Sequence, residues 1–403
     1  MRALDRNVRD APRLSIALPI LIQELHMKRQ VLFSLACFAA AMFAADARSA
    51  YAKALAATTL GKVELKSADV LAFGPEGTLL IGDGRAAAIF AVKTEASKPQ
   101  AKLAGEIKGI NAKLAAAVGA PADGIEIVDL AVNPETNVAY FAVRKQDDKA
   151  SIVLTLDGAG DVGLVNLDSV DYVRVALPTD GAPITKITDV AWAEEKLIAA
   201  AGASEEFASK IFVAPAPLKP DMSGELYSAE TFHVAHNKWE TKAPMSTIMP
   251  FQEGGKTYVA GAFACTPVVK YPLESLSAGA HVKGMSVLEL GSGNRPLDMF
   301  TYRKDGNEFV LANTFRFHHE KRPFGPSPYW TVKFERSLLD EKENINEKAL
   351  KRLKNGADPA TDRVVMIDAY HGVTQMDKLG ESEALVLRLN ADKSLDLAVL
   401  PLP

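Results

Sequence analysis

Asp69-Val70-Leu71-Ala72-Phe73, Asp129-Leu130-Ala131-Val132 and Asp189-Val190-Ala191-Trp192 begin 60 residues apart, twice in succession. Each opens with an acid, runs on as a short apolar strand, and meets a turn before a second apolar strand. Side chains alternate across a strand, so a run that is apolar at successive positions presents two faces that need cover. Copies of the same unit supply that cover, and a closed ring leaves no copy bare. The repeat therefore predicts an all-β chain folded as a β-propeller.

Looser copies extend the pattern. Ser246-Thr247-Ile248-Met249 opens a fourth unit with Lys256–Ala260 as its second strand, and Asp298-Met299-Phe300-Thr301-Tyr302 opens a fifth, returning through Phe309–Ala312. Val373-Thr374-Gln375-Met376 opens a sixth with Ala384–Leu387. Turns such as Gly74-Pro75-Glu76-Gly77, Asn133-Pro134-Glu135-Thr136 and Lys304-Asp305-Gly306 supply the backbone angles of tight reversals. Registering Asp69, Asp129, Asp189, Thr247, Asp298 and Gln375 gives steps of 60, 60, 58, 51 and 77 residues, which predicts six blades. Seven blades follow instead if residues 217–240 hold an extra sheet. Lys62–Leu65 and the tail Leu395–Val399 are expected to share one sheet and close the ring. Helical spacing of Leu103, Ile107, Ile110 and Leu114, and of the leucines and isoleucine between 338 and 353, predicts two helical insertions near 97–118 and 334–356, lying as lids on a propeller face.

The start of the chain reads differently. Met27-Lys28-Arg29 precedes the apolar run Val31–Phe43 and then Ala44-Ala45-Asp46-Ala47, the pattern of a secretory signal peptide cut after Ala47, or alternatively after Ala52. Such a run is shorter than the roughly 20 residues of a bilayer span. Residues 1–47 are thus expected to be an extension and signal peptide, 48–59 a linker and 60–403 the propeller, with the mature protein periplasmic or secreted and without a membrane span. Only Cys265 remains after that cut, so no internal disulfide is expected. The chain carries 46 Lys and Arg against 50 Asp and Glu, of which residues 1–47 hold six and four. The mildly acidic remainder has no general attraction to nucleic acid.

Three constellations bear on chemistry. The first is the ring itself: Asp69, Asp129, Asp189, Thr247, Asp298 and Gln375 begin the innermost strands and converge on the axis. Such oxygen donors suit Ca²⁺, which a hydrolytic propeller of lactonase-like or ester-cleaving type would use to polarise an oxygen. Equally, an acid at a strand start accepts backbone N–H bonds and staples blade to blade. The second is the scarce histidines: His233 and His236, His318 and His319, and His371, whose imidazoles suit a transition metal such as copper and a redox role, if loops bring them together. The third is Phe315–Trp330, an aromatic, cationic and proline-rich loop in which Arg316, Tyr329 and Trp330 are candidate anchors for a ligand or a periplasmic protein partner. No G-x-S-x-G, P-loop, H-E-x-x-H, EF-hand loop or C-x-x-C-H motif is present. The expected function is binding or scaffolding for a partner protein, small molecule or cation at the central tunnel face. The calcium-dependent hydrolase and copper-linked redox readings are the alternatives.

Gly202 through Ser209, His233 through Pro244, Cys265 through Lys270, Gly293 through Met299 and Gln375 through Leu379 together resemble a group of exported bacterial β-propeller proteins, over most of residues 62–403. The resemblance implies the fold and export and no particular chemistry; likeness to NHL and YVTN-type repeats is architectural. After Leu311-Ala312-Asn313 a short Ser/Arg/Gly turn of that group is replaced here by the aromatic–histidine loop, so that turn's role does not carry over.

Overall fold

The computed structural model describes residues 53–94, 98–179, 183–204, 208–233, 238–240, 244–264, 267–276, 280–290, 293–321, 323, 325–344 and 363–403. The signal-peptide segment 1–47, Cys265 and His236 lie outside them.

Six sheets stand around a common axis as a β-propeller, antiparallel throughout except where the short strand His281–Lys283 pairs parallel with Glu225–His233. Numbered in chain order by their innermost strands, the blades start at Val70–Phe73, Ile125–Val132, Ile184–Ala193, Met245–Glu253, Asn294–Lys304 and Val373–Lys378. In each, a tight reversal returns the chain antiparallel, as in the register Val132↔Ala139 through Asp129↔Ala142 of blade 2. Residues 217–240 do hold strands, but these are outer strands of blade 3: Glu225–His233 pairs with Ser209–Pro215, and Lys238–Glu240 pairs back on it. They make no seventh blade.

Blade order around the ring differs from chain order. Blade 1 packs between blades 2 and 3, and blade 2 lies against blade 6. The chain records this detour. After completing blade 2 it returns to lay Val170–Ala176 on the outer side of blade 1's Ala88–Val92, and only then enters blade 3. Thr59–Gly61 adds outside Val170–Ala176, and Leu55 bridges to Leu218 of blade 3. The N-terminal segment thus ties blades 1 and 3 together at the rim.

Ring closure corrects the sequence expectation. Lys62–Leu65 forms no strand, and Leu395–Pro401 is the third and last strand of blade 6. Closure falls between blades 6 and 2, where Ile107 and Leu397 exchange backbone hydrogen bonds of 2.8 and 2.9 Å. Gly109 N–H donates to Asp396 Oδ1 at 2.8 Å just beside them. The helical spacing around 97–118 resolves into one helix, Ile110–Ala117, whose Ile110 and Leu114 are buried with Leu154, Leu387 and Leu397. It fills the seam that a fourth strand of blade 6 would have covered, so it is no lid. In the second insertion, Arg336–Asp340 forms a 3-10 turn whose Leu338 and Leu339 join the core between blades 4 and 5; residues 345–362 lie outside the described residues. Packing is apolar at every blade interface: Val70, Ile187 and Val190 between blades 1 and 3, and Met249 and Met299 between blades 4 and 5.

Candidate functional site: a carboxylate girdle around the tunnel

The inner strands all run in one direction, from a face where they start to a face where they turn. Between them lies a tunnel of about 760 Å³ lined from all six blades, including Asp69, Asp129, Asp189, Thr247, Asp298 and Gln375. Asp377 lines it as well, an acid that registering the sixth unit on Gln375 passed over.

The carboxylates share one bonding pattern. Leu71 N–H of blade 1 donates to Asp129 Oδ2 of blade 2 at 2.6 Å. Ile187 N–H of blade 3 donates to Asp69 Oδ2 of blade 1 at 3.2 Å. Ile248 N–H and Thr247 Oγ1 of blade 4 donate to Asp189 Oδ2 of blade 3 at 2.7 and 2.6 Å. Met376 N–H of blade 6 donates to Asp298 Oδ2 of blade 5 at 2.9 Å, and Val132 N–H of blade 2 donates to Asp377 Oδ2 at 2.7 Å. Each acid accepts from the next blade in one rotational sense, and these bonds spell the ring order 2, 1, 3, 4, then 5, 6 and back to 2. An edge N–H buried at a blade interface needs an acceptor, and the carboxylate supplies a charge-assisted one. Among the described residues the 4–5 seam carries no such bond, because Thr247 stands where an acid would and spends its hydroxyl on Asp189. Gln375 donates its amide to Val128 O at 3.3 Å, across the closing seam, and its Oε1 has no hydrogen-bond partner.

Crowding acids away from water shifts their titration. Burial pushes Asp129 up to about 8, against the bond from Leu71 and helped by the negative charges of Asp189 and Asp377. Burial, then Asp129, raises Asp298 well above the ordinary carboxylate range. Asp189 and Asp377 rise to about 6 for the same first reason, moderated by their N–H and hydroxyl donors. At neutral pH the girdle therefore mixes ionised carboxylates with proton-bearing ones.

Other candidates sit elsewhere. Trp330 is 2 % exposed in the core between blades 4 and 5, and Arg316 is 6 % exposed with its guanidinium 5.2 Å from the Trp330 ring. The expected rim anchors are thus corrected for these two: strand alternation in Tyr329–Glu335 turns Trp330 inward. Tyr329 is half-buried and meets Phe315 at 5.1 Å, while the exposed ring of the loop is Phe317, with Arg295 5.0 Å above it. His318 is exposed and His319 half-buried, its pKa lowered by burial and by Arg316. His371 is largely buried against the Gly325 turn. His233 lies in the outer strand Glu225–His233 of blade 3. Among the described residues, no three histidine, cysteine or acidic side chains converge closely enough to hold a metal ion.

Fold and girdle together define the class: a six-bladed β-propeller with an acid-lined axis. No protein-family model and no curated protein matches the chain. Solved structures with some likeness include the Swd1 β-propeller domain of Myceliophteria thermophila, with 11 % identity, 83 % of this chain and 82 % of that one covered, and TM-score 0.32. Hydrazine synthase of Kuenenia stuttgartiensis shows 10 % identity, 83 % of each chain and TM-score 0.33. The GH43 protein BlXynB of Bacillus licheniformis shows 13 % identity over 66 % of this chain and 50 % of that one, with TM-score 0.31.

Proposed function

We propose that this is an exported, periplasmic binding protein that takes a positively charged small molecule in its central tunnel. One observation carries the reading: a cavity of about 760 Å³ lined by five aspartates, all of which also accept backbone N–H groups, Asp189 and Asp377 with both oxygens. That volume falls within the usual range of small-molecule sites, about 300–1,000 Å³. Burial, with charge repulsion second to it, keeps Asp129 and Asp298 protonated; ammonium groups entering the tunnel favour their ionised forms, so binding is coupled to proton release. An organic cation fits better than a chelated ion, because the described acids do not gather three to a point. The calcium-hydrolase and copper readings call for ligand sets that the described residues leave dispersed.

Calorimetric titration with putrescine, a diammonium probe, tests the proposal. Affinity at least fivefold tighter at pH 8 than at pH 6, weakened by Asp129→Asn with Asp298→Asn, is expected. Absence of saturable binding by putrescine at both pH values contradicts it. A rise in melting temperature with CaCl₂ alone, lost in the same double variant, would restore calcium as the ligand. Copper bound by the purified protein on elemental analysis would favour the redox reading instead.

A further inference from the structure

A second feature lies at the opposite charge, on the face where the inner strands start. Gly84 packs so tightly on blade 3 that a Cβ there would sit 2.6 Å from Lys186 Cα and 2.5 Å from Asp69 Oδ2. This backbone-to-backbone contact sets the turn carrying Arg85 beside Lys186. Lys66 joins them: its N–H donates to Asp83 Oδ2 at 2.6 Å, and Asp83 in turn accepts from Ala86 N–H at 2.8 Å in the Arg85 turn. Lys66, Arg85 and Lys186 are all exposed, and no carboxylate pairs with any of them among the described residues. Arg295, also exposed, lines the same mouth of the tunnel from blade 5, beside the exposed Phe317 ring.

We infer that this mouth, Lys66, Arg85 and Lys186 with Arg295 and Phe317 across it, docks an acidic polypeptide segment of a partner protein. Three arguments select that occupant. Single exposed ion pairs contribute little, so an isolated anion is not held, whereas a segment with several carboxylates engages several cations at once. Alternate residues of an extended segment lie about 7 Å apart, so its carboxylates spread over neighbouring turns rather than crowding one. A short acidic segment ends within the mouth, whereas a long duplex such as DNA would run on over the surface of a chain whose net charge is −4. Rigidity helps: both turns are fixed by buried carboxylate bonds, so little ordering is lost on docking.

The test uses the full chain and a fluorescein-labelled octaglutamate peptide, with octaglutamine as the uncharged control. Saturable binding of octaglutamate alone is expected, weakening at least tenfold between 50 and 300 mM NaCl as screening sets in. Arg85→Glu with Lys186→Glu should weaken it at least tenfold, and Arg85→Gln with Lys186→Gln three- to tenfold. Lys93→Glu with Lys113→Glu makes the same change in net charge away from the mouth and should stay within twofold. Melting temperatures within 3 °C of the parent show that all variants fold. Equal weakening by both reversal pairs, no saturable binding below 1 mM, or tighter binding of a 20-base-pair DNA or of anionic vesicles each overturns the inference.

Discussion

Asp189 offers the sharpest test of the girdle as a structural device. Its Oδ2 accepts from Ile248 N–H at 2.7 Å and Thr247 Oγ1 at 2.6 Å, and those donors belong to residues 3 % and 1 % exposed. Asp189→Ala leaves both without their carboxylate acceptor at the seam between blades 3 and 4. A buried unsatisfied donor costs about 1–3 kcal/mol, so the pair amounts to about 4 kcal/mol. The unit spanning 52–403 should unfold with an entropy of about 2.1 cal/mol/K per residue, which converts that loss to a drop of about 5 °C. Asp189→Asn keeps an oxygen acceptor for both donors and removes a charge that burial disfavours. It also turns its amide nitrogen towards Val190 N–H, which donates to Asp189 Oδ1 at 2.7 Å, so it should cost about 1–2 kcal/mol, well short of alanine. Differential scanning calorimetry at pH 7.5, with urea unfolding as a second measure, separates the two. An alanine variant that melts within 1 °C of the parent, or an asparagine variant as damaged as alanine, refutes the staple.

Further expectations follow from the same contacts. Asp129 has a folded-state pKa of about 8 against 3.8 in the free residue, and Asp189 and Asp377 reach about 6. Between those values the folded protein keeps protons that the unfolded chain has released. These acids therefore make stability fall as pH rises from about 4 towards 8; urea midpoints that stay flat or climb over that range contradict it. Gly84→Ala drives a methyl group into Asp69 Oδ2 and the Lys186 backbone and should cost about 3 kcal/mol, whereas Gly254→Ala, with open space but a φ of +57°, should cost about 1 kcal/mol. Asp377→Ala strips Val132 N–H of its acceptor at the closing seam and should lower stability by about 2 kcal/mol, with faster hydrogen exchange in blades 2 and 6 than in blade 4.

Much of this fold was legible because the blade-opening phrase is local. Asp69, Asp129 and Asp189 combine a strand start, an acid and a turn within about ten residues, and both periodicity and turn chemistry act at that range. Blade order was not legible: placing blade 1 between 2 and 3 depends on Val170–Ala176 pairing with Ala88–Val92, a contact between segments with no sequence mark of their own. The sixth unit was registered on Gln375 because Val373-Thr374-Gln375-Met376 mimics the apolar phrase. The acid that staples is Asp377, two residues on, and a search for the acid rather than the apolar run would have found it. Trp330 looked like a rim anchor because its neighbours are prolines and cations. Its inward direction is set by pairing with Thr314 in the strand beside it, which composition does not encode. The closing seam is illegible for a related reason: the helix Ile110–Ala117 and Ile107 take the place of a strand, and apolar residues at helical spacing do not say which neighbour they will cover.

Carbon-13 NMR of the aspartate side-chain carboxyls, assigned by single Asp→Asn variants and followed from pH 3 to 9, reaches the heart of the account. Asp129 should titrate near 8, Asp189 and Asp377 near 6, and Asp298 well above the ordinary carboxylate range. Addition of putrescine should move all four downward. Were the four to titrate together near 4 and ignore the probe, the tunnel would be an ordinary wetted channel and the girdle no binding site.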